Sequence, residues 1–223
     1  MLRRESSRYH RRVPDIETEA ARIWPAAAAI IVTGVAYGLL PDRLREGPRW
    51  LLPSLVTLLV LSSAGTRWLG HHQVTPWIAR TATGVMTAAL VASVVLLVTT
   101  LPGSHTSGRE LLVMAILLWA INLVVFALWY WEIDGGGPHS RRPATYRWPD
   151  FAFPQFQLDP ENASSYWMPG FVDYLFLAFN TSTAFSPTDT MIMSKRAKGL
   201  MMSQGAIALV ILAILAARAI SLL

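Results

Sequence analysis

The sequence predicts an all-α polytopic membrane protein with about five transmembrane helices, one re-entrant half-helix and a polar loop. Of the 223 residues, 53% are hydrophobic and only 15% are charged, and the mean hydropathy is +0.39. This composition is too apolar for an ordinary soluble domain. Several uncharged runs approach the length of about 20 residues that a helix needs to cross about 30 Å of hydrocarbon. One apolar run near the C-terminus is clearly shorter and leads into a dense polar stretch.

A polar, basic tail of residues 1–22 precedes four apolar segments, which form a predicted four-helix transmembrane region over residues 23–131. The first segment lacks a small-residue cleavage site, so we expect a retained helix rather than a signal peptide. Proline, glycine and charged residues fill the short connections, as is typical of turns at the membrane interface. The predicted spans are residues 23–40, 51–66, 81–101 and 111–131.

Residues 132–170 form a long polar and aromatic interfacial loop after the fourth predicted span. A Gly-Gly-Gly-Pro run at positions 135–138 predicts the end of that span, because neither residue type continues a helix well. Loops of this length are usually functional or disordered. The aromatic side chains of this loop lead us to expect that it lies on the membrane surface; they are Phe151, Phe153, Phe156, Tyr166 and Trp167.

Residues 171–223 are predicted to hold the re-entrant segment and the final transmembrane helix. The apolar run over residues 171–179 is too short to cross a membrane, and polar residues occupy 180–190. A basic cluster at 195–198 then precedes a long apolar segment. Irregular backbone survives at membrane depth only where protein buries it or where it lines water. This order of a short helix, a polar loop and a full-length helix predicts a re-entrant half-helix.

Near its C-terminus the chain reads FVDYLFLAFNTSTAFSPTDT and then RAKGLMMSQGAIALVILAI. This order resembles the pore helix, filter and inner helix of the pore-loop, two-transmembrane potassium channel module. It resembles more closely a family of bacterial integral membrane proteins of unknown function. That family pairs an aromatic-rich helix end with a DY-x-aromatic-x-AF segment, a Ser/Thr-Asp turn and a final helix. The resemblance covers roughly the last half of the chain.

The Gly-Tyr-Gly signature of potassium-channel filters is absent from the matching stretch. Glycine permits the backbone angles that aim filter carbonyls at the ion. Positions 184–189 read Ala-Phe-Ser-Pro-Thr-Asp, which is one residue longer than the filter and contains no glycine. The resemblance therefore implies the channel scaffold and does not imply potassium selectivity.

The polar stretch after the short helix supplies the predicted pore, or ion-path, residues. Hydroxyl and carbonyl oxygens can replace the water ligands of an ion, and Asp189 at the mouth can attract a cation. The negative end of the short helix's dipole also favours a cation. Alternatively, these residues cap helix ends, and Asp189 bonds to backbone N–H groups in a turn. The ion-path residues are Asn180, Thr181, Ser182, Thr183, Phe185, Ser186, Thr188 and Asp189.

Two polar residues lie within predicted spans. The amide of Asn122 requires a hydrogen-bond partner in hydrocarbon, so we expect it to face another helix, and Gln204 is a candidate for the same kind of contact. Asp173 lies in the first turn of the short helix, where the dipole favours a carboxylate.

No sequence pattern supports catalysis, a cofactor or a metal, so we expect a protein that is not an enzyme. The chain has no cysteine and therefore no thiolate nucleophile or ligand. The adjacent His71 and His72 do not share a helix face and lack a nearby carboxylate, so they give weak support for a metal site. Catalytic triad, phosphate-loop and zinc-protease patterns are missing.

The net charge of +5 bears on membrane orientation rather than on nucleic-acid binding. In the predicted topology, five of the 19 basic residues lie on one side of the membrane, and the other fourteen share the side of the N-terminal tail and the 132–170 loop. The positive-inside rule predicts that this second side is cytoplasmic. We therefore expect a multi-pass protein of a bacterial-type plasma (inner) membrane. The five residues are Arg43, Arg45, Arg49, Arg109 and Arg218.

The first functional hypothesis is a channel-like pore for a small cation, with a non-canonical filter loop. A homo-oligomer is expected, because one subunit's loop is too small to surround an ion. The alternative is a non-conducting membrane partner or assembly protein that uses residues 132–170 as its contact surface. Both hypotheses name the lipid bilayer as a partner and exclude nucleic acid.

Overall fold

The computed structural model describes residues 24–44, 54, 57, 75–100, 107–138, 140–141, 149–155, 167–183 and 189–220. Its helices are α1 (Trp24–Gly38), α2 (Thr75–Thr100), α3 (Gly108–Ile133), α4 (Phe171–Thr183) and α5 (Lys195–Ile220). Short 3-10 turns occupy Asp42–Leu44 and Asp134–Gly136. Strands β1 (Phe151–Ala152) and β2 (Met191–Ile192) pair antiparallel, with Phe151 opposite Ile192. The expectation of a predominantly helical protein is confirmed, and the small β-ribbon is an addition to it.

Three of the helices are long and apolar enough to cross a membrane, which is consistent with a membrane protein. These segments are Pro76–Thr100, Gly108–Gly136 and Lys195–Ala217. The apolar part of α1, Ala28–Gly38, is shorter. The predicted span 51–66 lies outside the described residues apart from the helical residues Ser54 and Thr57. The number of about five spans therefore stays a prediction.

Helix α3 is the centre of the fold. Its sequence is apolar on all sides, as is typical of a helix surrounded by other elements. Buried positions account for 61% of its most apolar stretch, against 17% for α5. Helices α1, α2, α4 and α5 all pack against α3. The core of the described residues is therefore built around one helix, and α5 lies at its edge.

Helices α2 and α3 run antiparallel, so that α2 begins where α3 ends. The Trp129 indole N–H donates to the Thr87 hydroxyl at 2.8 Å. The Arg80 guanidinium donates to the carbonyls of Glu132 and Gly136 at 3.3 and 3.4 Å. We refer to this end of the bundle, where α3 finishes, as the Asp134 end.

Helix α4 covers about half the length of α3. At its start Phe171 packs edge-on against Trp131, with ring centroids 6.0 Å apart. Near its end Phe179 meets Trp119 at 5.9 Å. Helix α5 begins at the same end as α4, because the Arg196 guanidinium donates to the Ile133 carbonyl at 3.0 Å. Helices α4 and α5 therefore both start at the Asp134 end, and α4 stops close to the middle of α3.

The helical conformation of α4 extends four residues beyond the expected end at Phe179. Thr181 and Thr183 donate their hydroxyl hydrogens to the carbonyls of Leu177 and Phe179 at 2.8 and 2.9 Å. Such bonds to the preceding turn satisfy a hydroxyl without leaving the helix. The first polar residues after the apolar run are therefore part of the helix and not of a loop.

Helix α3 ends two residues later than expected, at a run of glycines in the left-handed half of backbone space. Gly136 and Gly137 have φ angles of +87° and +102°. A Cβ atom on Gly137 would lie 3.0 Å from the Glu132 carbonyl oxygen. Because residues with side chains rarely adopt such angles, this turn requires glycine. The turn leads the chain back toward Arg141 and the bundle interior.

We expect Gly137→Ala to lower the free energy of unfolding by about 1–3 kcal/mol, because it combines backbone strain with a close contact to a carbonyl. Stability is measured by titrating a denaturing detergent into folded protein in mild-detergent micelles. Gly84→Ala in α2 is the matched control, since a Cβ there meets nothing within 4 Å. Equal effects of the two substitutions would contradict a special role for the turn.

Candidate functional site

A buried polar cluster around Gln204 joins α3, α4 and α5. The Gln204 amide nitrogen donates to the Ser182 hydroxyl at 2.7 Å and to the Ala178 carbonyl at 2.8 Å. Its amide oxygen accepts a hydrogen bond from the Tyr130 hydroxyl. The side chains of Tyr130, Ser182 and Gln204 are fully buried. We call this group, with Asn122, the Gln204 cluster.

Asn122 completes the cluster from the middle of α3. Its side-chain nitrogen donates to the Gln204 backbone carbonyl at 3.4 Å, so the residue does face another helix. Its side-chain oxygen has no hydrogen-bond partner among the described residues. Because an unpaired buried polar atom has a free-energy cost, Asn122 is the least satisfied member of the cluster.

The cluster holds the last two turns of α4 against the middle of the bundle. Gln204 is the only side chain among those described that bonds to α4 and to α3 at once in this region. Hydrogen bonds of this kind between helices help to fix their relative positions where apolar packing alone is not directional. The arrangement therefore sets the depth at which α4 ends.

The predicted ion-path residues are divided between burial, exposure and the undescribed part of the chain. Ser182 belongs to the Gln204 cluster and is fully buried, Thr181 is half-buried, and Thr183 is exposed. Asn180 is half-buried and Asp189 is exposed. Phe185, Ser186 and Thr188 lie outside the described residues.

The C-terminal end of α4 carries backbone carbonyls that the helix itself does not pair. The last four carbonyls of any α-helix lack a partner within the helix, and in α4 these belong to residues 180–183. The helix dipole adds a partial negative charge at the same place. This end of α4 therefore has the electrostatic character that attracts cations.

A second buried cluster surrounds Asp134 and holds the start of α4. One carboxylate oxygen of Asp134 accepts hydrogen bonds from the backbone N–H groups of Asp150 and Phe151 at 2.7 and 3.3 Å. The other accepts a hydrogen bond from the Tyr174 hydroxyl. The Arg141 guanidinium lies 3.7 Å from that oxygen and also donates to Tyr174. We call Asp134, Arg141 and Tyr174 the Asp134 cluster.

The Arg141 guanidinium is fully buried between aromatic rings. Its central carbon lies 4.9 Å from the Tyr174 ring centroid and 5.9 Å from that of Trp131. Stacking over ring faces stabilises a cation. The Nε and Nη2 atoms have no hydrogen-bond partner among the described residues. Two acidic groups interact with the positive charge of Arg141. They are Glu132, in the last turn of α3, and Asp134, in the turn that follows.

An ion pair between Asp150 and Arg196 ties α5 to the β-ribbon. Arg196 donates to both carboxylate oxygens of Asp150, at 2.7 and 2.6 Å. The Asp150 side chain is 4% exposed, whereas Arg196 is 58% exposed. Burial alone would raise the pKa of Asp150, but hydrogen bonds from Arg196 and Ser194 and the Arg196 charge hold that pKa below its ordinary value. The carboxylate is therefore ionised at neutral pH.

Two aromatic residues of the 132–170 loop pack inside the protein and not on its surface. Phe151 is fully buried, with its ring centroid 5.0 Å from that of Tyr130 and 6.1 Å from that of Tyr174. Phe153 packs on Tyr174 at 5.4 Å. The Phe151 ring thus lies between α3 and α4, and the location of the loop at the membrane surface stays a prediction. Phe156 and Tyr166 lie outside the described residues.

Sequence reasoning missed the Asp134 cluster. Asp134, Arg141 and Asp150 fell in a segment that we expected to be peripheral, and Tyr174 fell in an apolar run. The available signal was the position of Asp134 directly between a long apolar helix and three glycines. A carboxylate there lies within reach of the bundle interior.

Asp173 caps the start of α4, as its position in the sequence suggested. Its carboxylate accepts a hydrogen bond from the Gly170 backbone N–H at 2.7 Å.

Within the parts of the chain that the structure describes, no group of three His, Asp or Glu side chains is placed to hold a metal ion.

Comparisons of the chain with protein-family models, with curated proteins and with solved structures find no match. The resemblance to a bacterial membrane family and to the potassium-channel pore module therefore stays a prediction.

We expect Gln204→Leu to lower the free energy of unfolding by about 2 kcal/mol, because it preserves side-chain volume and leaves Tyr130 and Ser182 without their partner. The measurement is the same detergent titration. Ser203→Ala is the matched control on the adjacent, exposed position of α5. A Gln204→Leu protein as stable as the control would show that the cluster does not hold the helices together.

The ion pair between Asp134 and Arg141 predicts that the stability losses of the two single variants are strongly non-additive. Asp134→Ala should cost about 3–5 kcal/mol, because it removes the carboxylate that pairs with the buried Arg141 charge. Adding Arg141→Met removes that charge, so the double variant should be about 1–3 kcal/mol more stable than the sum of the single effects implies. Asp42→Ala, at an exposed carboxylate, serves as the control. Strictly additive losses would argue against a direct interaction.

Proposed function

We propose that this protein forms, as a homo-oligomer in a bacterial-type plasma membrane, a channel-like pore for small cations in which α4 is a re-entrant half-helix. The observation that carries the proposal is the end of α4 near the middle of two membrane-length helices.

The length and level of α4 support a half-helix. Its 13 residues extend about 20 Å, less than the roughly 30 Å of a hydrocarbon core. Trp119, beside its last turns, lies 14 positions before Ile133, or about 21 Å from the Asp134 end. Lys195 follows Thr183 by 12 positions and lies at the Asp134 end again. The chain therefore enters the bundle as α4 and returns to the same end of the bundle before α5 begins.

A helix end at this depth requires a polar environment. Unpaired backbone carbonyls are not tolerated against lipid, so either water or protein has to cover them. Their orientation and the helix dipole make the site favourable for a cation. A water-filled path that passes the end of α4 satisfies the carbonyls and gives them a function.

The outer surface of α4 supports an oligomer. Val172 and Phe176 are 66% and 65% exposed, and they share a helix face with the exposed Thr183. A half-helix whose polar end shares a face with large apolar side chains cannot present that whole face to lipid. Copies of the chain arranged around an axis would cover the apolar part and bring the α4 ends together around the path.

Asp189 is suited to the mouth of such a path. It is exposed and lies two residues before β2, whose neighbour Met193 donates its backbone N–H to the Asp150 carbonyl at 2.9 Å. This places Asp189 toward the Asp134 end and not at the depth of Gln204. A ring of carboxylates at that level raises the local concentration of cations.

Basic residues support a cytoplasmic location for this mouth. Arg80, Arg141 and Arg196 all lie at the Asp134 end, as the predicted topology requires. By the positive-inside rule this end faces the cytoplasm. The proposed pore loop therefore has the opposite orientation to that of potassium channels, whose filters face outward.

The alternative, a partner or assembly protein that uses residues 132–170 as its contact surface, has less support. The residues described in this segment mostly face inward: Asp134, Arg141, Asp150 and Phe151 are all buried. They stabilise the chain's own helices and are not available to a partner.

We expect purified protein in liposomes to conduct monovalent cations and Asp189→Asn to reduce the flux about tenfold at low ionic strength, where steering by charge is strongest. Flux is measured with a fluorescent ion indicator under an imposed gradient. The matched control is Asp42→Asn, an exposed carboxylate near the end of α1. Folded wild-type protein that passes no cation under any gradient would overturn the proposal.

A further inference from the structure

Exposed and covered side chains alternate along the segment that leads from Asp189 through β2. Asp189, Met191 and Met193 are exposed, whereas Thr190 is buried and Ile192 packs against the core. Successive side chains of a strand point to opposite faces. The side chains of Met191 and Met193, 51% and 56% exposed, therefore lie on the same outer face, and Asp189 precedes them on the exposed side. We call Met191 and Met193 the methionine pair.

Hydrogen bonds fix the backbone that carries the methionine pair. Met191 lies opposite Ala152 in the β-ribbon, and the Met193 backbone N–H donates to the Asp150 carbonyl at 2.9 Å. Asp150 is held in turn by Arg196, 2.6 Å away. Two residues apart on a strand, the Cα atoms of the pair are separated by about 6.6 Å. The starting points of the two side chains are thus set before any ligand arrives.

The thioether sulfurs of the pair are soft metal ligands. Thioethers and thiolates select Cu(I), whereas carboxylate, carbonyl and water oxygens suit Mg, Ca and Mn. The chain has no cysteine, so methionine is its only source of sulfur ligands. Each methionine side chain has three rotatable bonds. Two of them that start about 6.6 Å apart on one face can therefore bring both sulfurs to the same ion.

Charge and location are also suited to a soft monovalent cation. Thioethers are neutral and leave the charge of a bound cation in place, which the nearby carboxylate of Asp189 can offset. In the proposed orientation, β2 lies at the cytoplasmic end of the bundle. The cytosol is reducing, and this favours copper as Cu(I).

We propose that the methionine pair binds a soft monovalent cation of the Cu(I) type, with the two thioethers as ligands and Asp189 as the group that attracts the ion. The binding site stands on the geometry of β2 alone. Its role as the first site of an ion path, and with it a soft cation as the permeant ion, rests on the proposed function.

The test is an equilibrium competition for Cu(I) between the purified protein in detergent micelles and a chromogenic Cu(I) chelator, with ascorbate as the reductant. We expect the wild-type chain to withdraw Cu(I) from the chelator. The double variant Met191→Leu with Met193→Leu should lower the affinity about tenfold or more, since even outer-shell partners of metal ligands contribute that much. Leucine keeps an apolar side chain of similar size, so a role limited to lipid or protein contact would be preserved.

Met202→Leu is the matched control, because Met202 is 72% exposed and lies on α5 outside the pair. Its affinity for Cu(I) should equal that of the wild type. Asp189→Asn should weaken binding less than the double variant does, since the carboxylate attracts the ion without supplying a sulfur. The five histidines remain in every variant, so any Cu(I) that they bind cancels in the comparison.

Two results would overturn the site: a wild-type chain that withdraws no Cu(I), and a double variant that binds as tightly as Met202→Leu. The outcome is separable from that of the proposed pore. Potassium flux without Cu(I) binding would remove the site and leave the pore, whereas Cu(I) binding without flux of any cation would remove the pore and leave the site.

Discussion

The position of the C-terminal end of α4 depends on the side chain of Gln204. Without Gln204, the last turns of this 13-residue helix would lose their hydrogen bonds to α5. Its amide bonds to the carbonyl of Ala178 and the hydroxyl of Ser182, and it accepts from Tyr130 on the opposite helix. All of these groups are buried, so each lost bond leaves a polar atom without solvent to replace it. The depth of the α4 terminus follows from this constraint.

The Asp134 cluster fixes the other end of the same helix by a different kind of interaction. Tyr174, one turn into α4, donates to Asp134, and Arg141 supplies the compensating positive charge. The Asp150–Arg196 pair extends this arrangement to α5. Each carboxylate is thus matched by one guanidinium, so the cluster introduces little net charge at the membrane end. Helix α4 is held between an ionic cluster at its start and a neutral amide cluster at its end, which leaves it little freedom to tilt or slide.

The sequence predicted what depends on periodicity and length, namely the helical class and about five membrane spans, of which three correspond to long apolar helices. It also indicated that Asn122 and Gln204 would need partners, because an amide in an apolar helix has few alternatives. It could not predict that Gln204 would serve α3 and α4 together, since that depends on how three helices are packed. The Asp134 cluster was missed for a related reason. Arg141 and Asp150 look like ordinary loop charges until the glycine turn and β1 bring them into the interior.

The boundary of α4 was the least predictable feature of the site, and it changes how the proposed ion path would work. Ser182 is fully buried, so its oxygen is not accessible to an ion. Thr183 is exposed, and its hydroxyl hydrogen points back to the Phe179 carbonyl, which leaves the oxygen lone pairs facing outward. A cation at the end of α4 would therefore meet the Thr183 oxygen and the terminal backbone carbonyls, which are hard oxygen donors. Residues 180–183, which the sequence assigned to the polar loop, are therefore the last residues of a helix.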